Sequence, residues 1–390
     1  MHPPGPARLL ALSVLIVTVS TQPVFLLGAS FLQMGPELGF GPTGLGVLTS
    51  LFFLAASVAS GPLGRVVQRI GWQRALRVNL VVSAAVLVAV PIVAHTFALL
   101  AVLLVVGGAV YGVANPAANQ ALADHVDPRH RAVVFGIKHA GIPSSTLMAG
   151  LALPLVVLTS GWRAAYLLAA GLAVVVWALS PRERVAVATG RFPADTRRWV
   201  VPLTTARLLA VAGANALASW GAIALATYLV AASVDLGFTE SAAGLLLFAG
   251  SVTAILARVG AGALTDRFGG RGFIGVAALM GAGAVVFVVL TAAHGPQFAA
   301  LVMAAFATAS GWQGLMTYAV VNANALSAAS SSGVTQTGIF VGAAAGPVAV
   351  GRIVDVVSFD AGWLLAAAAL AVASVVVWVV GRGDTRTATV

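Results

Sequence analysis

Lysine occurs once in this 390-residue chain, at Lys138, whereas arginine occurs twenty times. The lysine stands in "GIKHAGIP" (136–143), beside His139, at the head of an apolar run of more than a dozen residues. It follows Arg131 by seven residues, about 10 Å along a helix at 1.5 Å per residue. A charge that deep in apolar surroundings needs a partner or a wet cavity. An ammonium can attract an anion as a compact point charge. It can also change its protonation on burial, which arginine does not do. The bland alternative is a side chain that snorkels to the nearer interface. His139 can relay protons near neutral pH or simply pack with a hydrogen bond. It lies about 100° round the helix from Lys138, so spacing leaves open whether both face one space.

Other polar side chains fall at helical spacing within apolar runs. Tyr111, Asn115 and Asn119 share one face, as do Gln313 and Thr317, with Trp312 and Tyr318 adjacent. Asn215, Trp220, Gln22 and Gln336 stand in further runs. Such groups either line a wet cavity or bond neighbouring helices together. As a set, Lys138, Asn115, Asn119, Tyr111, Gln22, Asn215, Trp220, Gln313 and Gln336 are the candidate substrate-binding residues, and His139 is the candidate for proton coupling. Arg258, near the inner end of its span, reads as a gate or interface anchor more than a substrate ligand. Arg352 and Asp355, three apart, read as a pair along one helix. There is no cysteine, and the six histidines are dispersed. No P-loop, nucleophile–base grouping or metal-ligand spacing rises above chance, so no enzyme, cofactor, metal site or ATP-driven pump is expected.

The elements that must position these residues follow from composition. The chain is 60% hydrophobic and 8% charged, with a mean hydropathy of +1.01. Soluble domains carry about 25% charged residues, so too little polar surface remains to cover a water-soluble globule. The apolar residues come in blocks of about 20, the length of a membrane-spanning helix, without the alternation of a barrel strand. Twelve spans are expected near 8–32, 43–63, 77–94, 97–121, 132–156, 163–180, 203–230, 242–262, 273–292, 297–324, 333–356 and 362–380. The first is read as a retained helix and not a signal peptide, since no small-residue cleavage site follows it. The longest polar stretch divides the chain into 1–180, a linker at 181–202, and 203–390, with six spans on each side. The net charge of +10 would suggest nucleic acid in a soluble protein. Here the arginines cluster between apolar blocks. With both termini inside, only Arg163 and Arg352 of the 21 basic residues fall in the outer half. The positive-inside rule therefore predicts cytoplasmic termini and a cytoplasmic linker, and no nucleic-acid partner. The arginine bias with abundant Ala, Val and Gly suggests a GC-rich bacterial genome, hence an inner membrane.

The two halves echo each other. Gly64, Arg69 and Gly71 match Gly262, Arg267 and Gly269, each 198 residues later, and Gly161-Trp162 recurs as Gly362-Trp363. Parallel six-span repeats with a site at their interface are a transporter signature. On these features the chain resembles the major facilitator superfamily over essentially its whole length. The carrying motif is the G-x-x-x-D-R-x-G-x-R loop, here Gly262, Asp266, Arg267, Gly269 and Arg271. Its first copy departs from the pattern, with Gln68 where the acid belongs. The resemblance implies two pseudo-symmetric six-helix bundles and a cytoplasmic gate latched by this loop, with Asp124 as a partner for Arg69. An acid there can face a helix N-terminus of the opposite bundle, and the fifth span is the expected one. Within the superfamily, "GIKHAGIP", "SGWRAAY" and "ARVGAGALTDRFG" loosely resemble the cyanate-permease and organic-anion symporter branches. The expectation is a monomeric, all-helical secondary transporter for a small anion or organic acid, with protons as a possible second cargo and the lipid bilayer as its surroundings. The rivals are an exporter of drugs or metabolites and a non-transporting membrane sensor.

Overall fold

The computed structural model describes residues 6–122, 130–180, 203–268, 272–324 and 328–383. Every regular element among them is a helix. The first part holds α1 (Pro6–Ala29), α2 (Phe31–Leu38), α3 (Pro42–Ile70), α4 (Trp72–Val93) and α5 (Phe97–Leu122). It continues with α6 (Arg131–Lys138), α7 (Gly141–Ala152), a π-helical turn (Leu153–Val157) and α8 (Leu158–Leu179). The second part holds α9 (Thr205–Asp235), α10 (Glu240–Phe268), α11 (Gly272–Leu290), α12 (Gly295–Ala323), α13 (Ala328–Val356) and α14 (Phe359–Gly383).

Among the described residues, eleven helical stretches are long and apolar enough to cross a bilayer. One of them, Ala132–Leu179, has 48 residues. Straight, it would reach about 72 Å, more than twice the ~30 Å of a hydrocarbon core. It is not straight. Gly161 has φ 81°, in the left-handed region that glycine alone occupies without steric cost, and there the chain turns back. Counted as two crossings, this stretch makes twelve. Val58, Ile92, Val102, Leu168, Val285 and Val375 project outward, each more than half exposed. In water such a surface would drive aggregation; in lipid it is the matching solvent.

Several boundaries differ from those predicted. α3 runs on to Ile70 instead of stopping near 63, and α4 starts at Trp72, so the polar stretch between them is helical except for Gly71. That residue, at φ 86°, is where the helix stops. The fifth span is not one helix but α6, α7 and a π-turn. Pro154 supplies no N–H, and Leu158 N–H closes on Leu153 O, five residues back. The eight-residue α2 was not anticipated. Its Glu37 accepts from Trp162 Nε1 at 2.8 Å and from the Arg163 guanidinium. Hydrogen bonds from Arg163 and then Trp162 hold the Glu37 carboxyl below its ordinary range. At the end of the molecule where the chain begins, Arg8 and Arg77 donate to the carbonyls of Leu179 and Ser180, both at 3.3 Å. Cations are favoured there by the α8 dipole.

Two seams join helices on opposite sides of the 181–202 stretch. α3 packs on α13, and α10 packs on α6 and α7. Within the second part, α13 also packs closely on α9. Gly338, Gly342 and Gly346, four residues apart on α13, make this possible: a Cβ on Gly342 would lie 1.8 Å from Ala216 O.

Candidate functional site

The centre of the molecule is organised by the break in "GIKHAGIP". Helix α6 ends at Lys138, and His139 takes φ −75°, ψ −3°. Four residues on, Pro143 has no N–H, so it cannot donate to the His139 carbonyl as a helix requires. That carbonyl instead accepts from Arg258 Nη1, on α10. Arg258 Nε donates to Ser310 O at 2.8 Å. One guanidinium thus fastens the break to α12. The His139 ring is fixed as well, its Nε2 lying 2.9 Å from Thr317 Oγ1.

Lys138 is 4% exposed and lines a cavity of about 20 Å³ together with Val17, Tyr111, His139, Ile142, Gln313, Gln336 and Ile339. That volume holds about one water. Its side chain does not snorkel, and Nζ has no hydrogen-bond or ion-pair partner among the described residues. His139 lines the same cavity. The 100° separation read from a regular helix does not apply, because α6 stops between the two residues. A second cavity of about 20 Å³ adjoins. Arg258, Thr146, Ser310, Pro143, Ala222 and Phe306 line it, and it shares Ile142 and Gln313 with the first. Arg258 is 2% exposed.

The other sequence candidates divide. Tyr111, Gln313 and Gln336 stand with Lys138. Gln22 does not: its Nε2 reaches Ser145 O at 3.4 Å, and it borders a separate groove opened outward by Leu155 and Leu168. Asn215 Nδ2 donates to Thr335 O at 3.1 Å, bonding α9 to α13. Trp220 packs against Gly346 on that same contact. A membrane span has two or more faces, so polar residues of the same span do not all meet one cavity. The side chains of Asn115 and Asn119 lie outside the described residues, as do the Gln68 side chain, Asp124, Gly269 and Arg271. Arg258 is the residue that sequence reasoning undervalued. Two signals pointed to it: it is ten residues from the nearer end of its helix, and the His139–Pro143 spacing leaves a carbonyl for it.

The motif residues at the end where α1 begins and α14 ends are placed as follows. Asp266 Oδ1 accepts from Ala132 N–H at 3.1 Å and Oδ2 from Val133 N–H at 2.9 Å. Those are free amides in the first turn of α6, where the helix dipole also favours a carboxylate. One turn earlier on α10, a Cβ on Gly262 would meet Ala132 O at 2.6 Å, so the approach requires glycine. Arg69 and Arg267 are exposed, and the Arg267 guanidinium lies 5.4 Å over the Phe268 ring. At the opposite end Asp355 does the same for α3. It accepts from Thr43 N–H at 2.9 Å and from the Thr43 hydroxyl. Asp355 therefore uses its carboxylate across the α3–α13 seam and not on Arg352 as the spacing suggested. Beside it, Tyr228 Oη is 2.9 Å from Pro42 O and 2.8 Å from Pro347 O.

A multi-pass helical membrane protein with a polar pocket sealed at mid-depth, between helices from both parts of the chain, has the architecture of a solute transporter. The chain belongs to the major facilitator superfamily: the model of that family matches residues 13–223, just over half of the 390. No curated protein matches it.

Proposed function

We propose that this protein is a secondary active transporter that moves a small anion or organic acid by alternating access, with His139 available to couple protons. The carrying observation is Lys138, buried without a partner among the described residues, in a cavity shared by α1, α5, α6 and α7 on one side and α12 and α13 on the other. Burying an ammonium unpaired costs several kcal/mol. An anionic substrate supplies the missing charge and leaves again when the cavity opens. Residues 1–180 and 203–390 act as two bundles that rock about this point. Asp266 latches one end, and the cytoplasm faces that end, with the termini in it. The transporter works as a monomer in a bacterial inner membrane.

The test is flux of labelled small carboxylates into proteoliposomes. Lys138→Gln is expected to lose at least 90% of uptake. Lys138→Arg should keep binding but slow release, because the guanidinium fork grips a carboxylate in two places. Full uptake by Lys138→Gln would leave the superfamily assignment standing and remove the anion.

A further inference from the structure

We infer that the substrate carries two anionic groups, one held by Lys138 and the other by Arg258, on either side of the Gln313 side chain. This rests on the anion-transport reading and adds to it the valence of the substrate and a second binding residue.

The argument begins with a charge census. Lys138 and Arg258 are the only buried charged side chains among the described residues. Every described acid, namely Glu37, Asp235, Glu240, Asp266, Asp355 and Asp360, lies near a helix end, and none borders either cavity. Among the described residues, the middle of the molecule thus offers two cations and no acid to balance them. The guanidinium is never deprotonated in a protein. Its two bonds to the His139 and Ser310 carbonyls satisfy Nε and Nη1 but supply no net negative charge. Nη2 has no such bond among the described residues, and Arg258 borders the second cavity.

Geometry joins the two points. The cavities have Ile142 and Gln313 in common, so those side chains are the partition between Lys138 and Arg258. Gln313 is unbranched and rotates at modest cost. Moved aside, it opens one elongated site with a cation towards each end. A monoanion in that site leaves one buried charge uncompensated, whereas a dianion balances both. The wall near Arg258 is mostly apolar, with Pro143, Ala222 and Phe306, which suits a short hydrocarbon spacer between two carboxylates.

The experiment is thermal stabilisation and binding of the purified protein in detergent. The probes are straight-chain monocarboxylates of two to six carbons and α,ω-dicarboxylates of the same lengths. The wild type is expected to bind the best dicarboxylate at least ten-fold more tightly than any monocarboxylate, with an optimum spacer length. Arg258→Gln should weaken dicarboxylate binding at least ten-fold more than monocarboxylate binding. Equal affinity for the two series in the wild type overturns the inference, and so does an Arg258→Gln variant that weakens both series alike. Should Arg258→Gln fail to fold, the wild-type length series decides alone. Lys138-dependent monocarboxylate binding without a dicarboxylate advantage removes the second charge and keeps the anion reading. No binding of either series removes both.

Discussion

Replacing Asp266 by Asn tests the proposed latch at the end of the molecule where α1 begins and α14 ends. The native carboxylate accepts two backbone N–H bonds, at 3.1 and 2.9 Å, from the first turn of α6. A hydrogen bond to a charged group contributes about 1.5–3 kcal/mol. Charge at a helix N-terminus adds about 0.3–1 kcal/mol. Asn keeps one oxygen that can accept, so one bond and the charge are lost while a neutral bond remains. Asp266 is half-buried, which places the net loss near the lower part of that range, about 1–2 kcal/mol. At 1.4 kcal/mol per factor of ten, the population open at this end should rise about 5- to 30-fold. The chain has no cysteine, so a single introduced thiol reports without background. Thr265 lies buried one residue from the latch, and Ala254 lies buried beside the Arg258 cavity. Thr265→Cys and Ala254→Cys should each react with a water-soluble maleimide 5- to 30-fold faster when Asp266→Asn is present. Unchanged rates at both positions, in a variant with unchanged flux, would refute the latch.

The same chemistry at the other end predicts the opposite shift. Asp355→Asn, which loses the charged contact to Thr43, should slow labelling at Thr265→Cys and speed labelling of a cysteine placed at Leu45, buried just inside that contact. Gly342→Ala should lower the melting temperature measurably and cost at least the 1–3 kcal/mol typical of overpacking, because its Cβ would lie 1.8 Å from Ala216 O. A variant as stable as the wild type would mean that α9 and α13 are free to separate there.

Much of this architecture was legible because the bilayer imposes it. Blocks of about 20 apolar residues have one solution in lipid, a helix that satisfies its own backbone, and the arginine clusters mark its ends. Asp266 was legible through the G-x-x-x-D-R-x-G-x-R loop, whose resemblance implied a carboxylate facing a helix N-terminus of the opposite bundle. The site was less legible. Sequence spacing orders residues on one helix but says nothing about which face meets which neighbour. Gln22, Asn215 and Trp220 therefore entered the set and now stand on other contacts. Asp355 went to Thr43, 312 residues away, where i,i+3 spacing had offered Arg352. The break at His139 was written in Pro143, yet its consequence depended on Arg258 reaching the freed carbonyl from a helix more than a hundred residues further on.

The two aspartates bear on how alternation would work. Each holds the first turn of a helix from the other part of the chain, Asp266 at one end and Asp355 at the other, and both contacts are made at once. Between them the cavities at Lys138 and Arg258 are about 20 Å³ each, room for water but for no carboxylate. On the proposed reading, a substrate reaches the lysine only after one of these contacts has parted. Both contacts use a carboxylate on the first turn of a helix, Asp266 on two backbone amides and Asp355 on one amide and the Thr43 hydroxyl, so their strengths are of the same order. On the proposed reading this balance is what a carrier needs. A binding step worth about 1–3 kcal/mol is the usual size of a coupling between sites, and it matches the cost of parting one such contact. A much stronger seal at either end, such as a buried arginine–carboxylate pair, would hold the carrier in one state. Neutral hydrogen bonds alone would let both ends open together and leak.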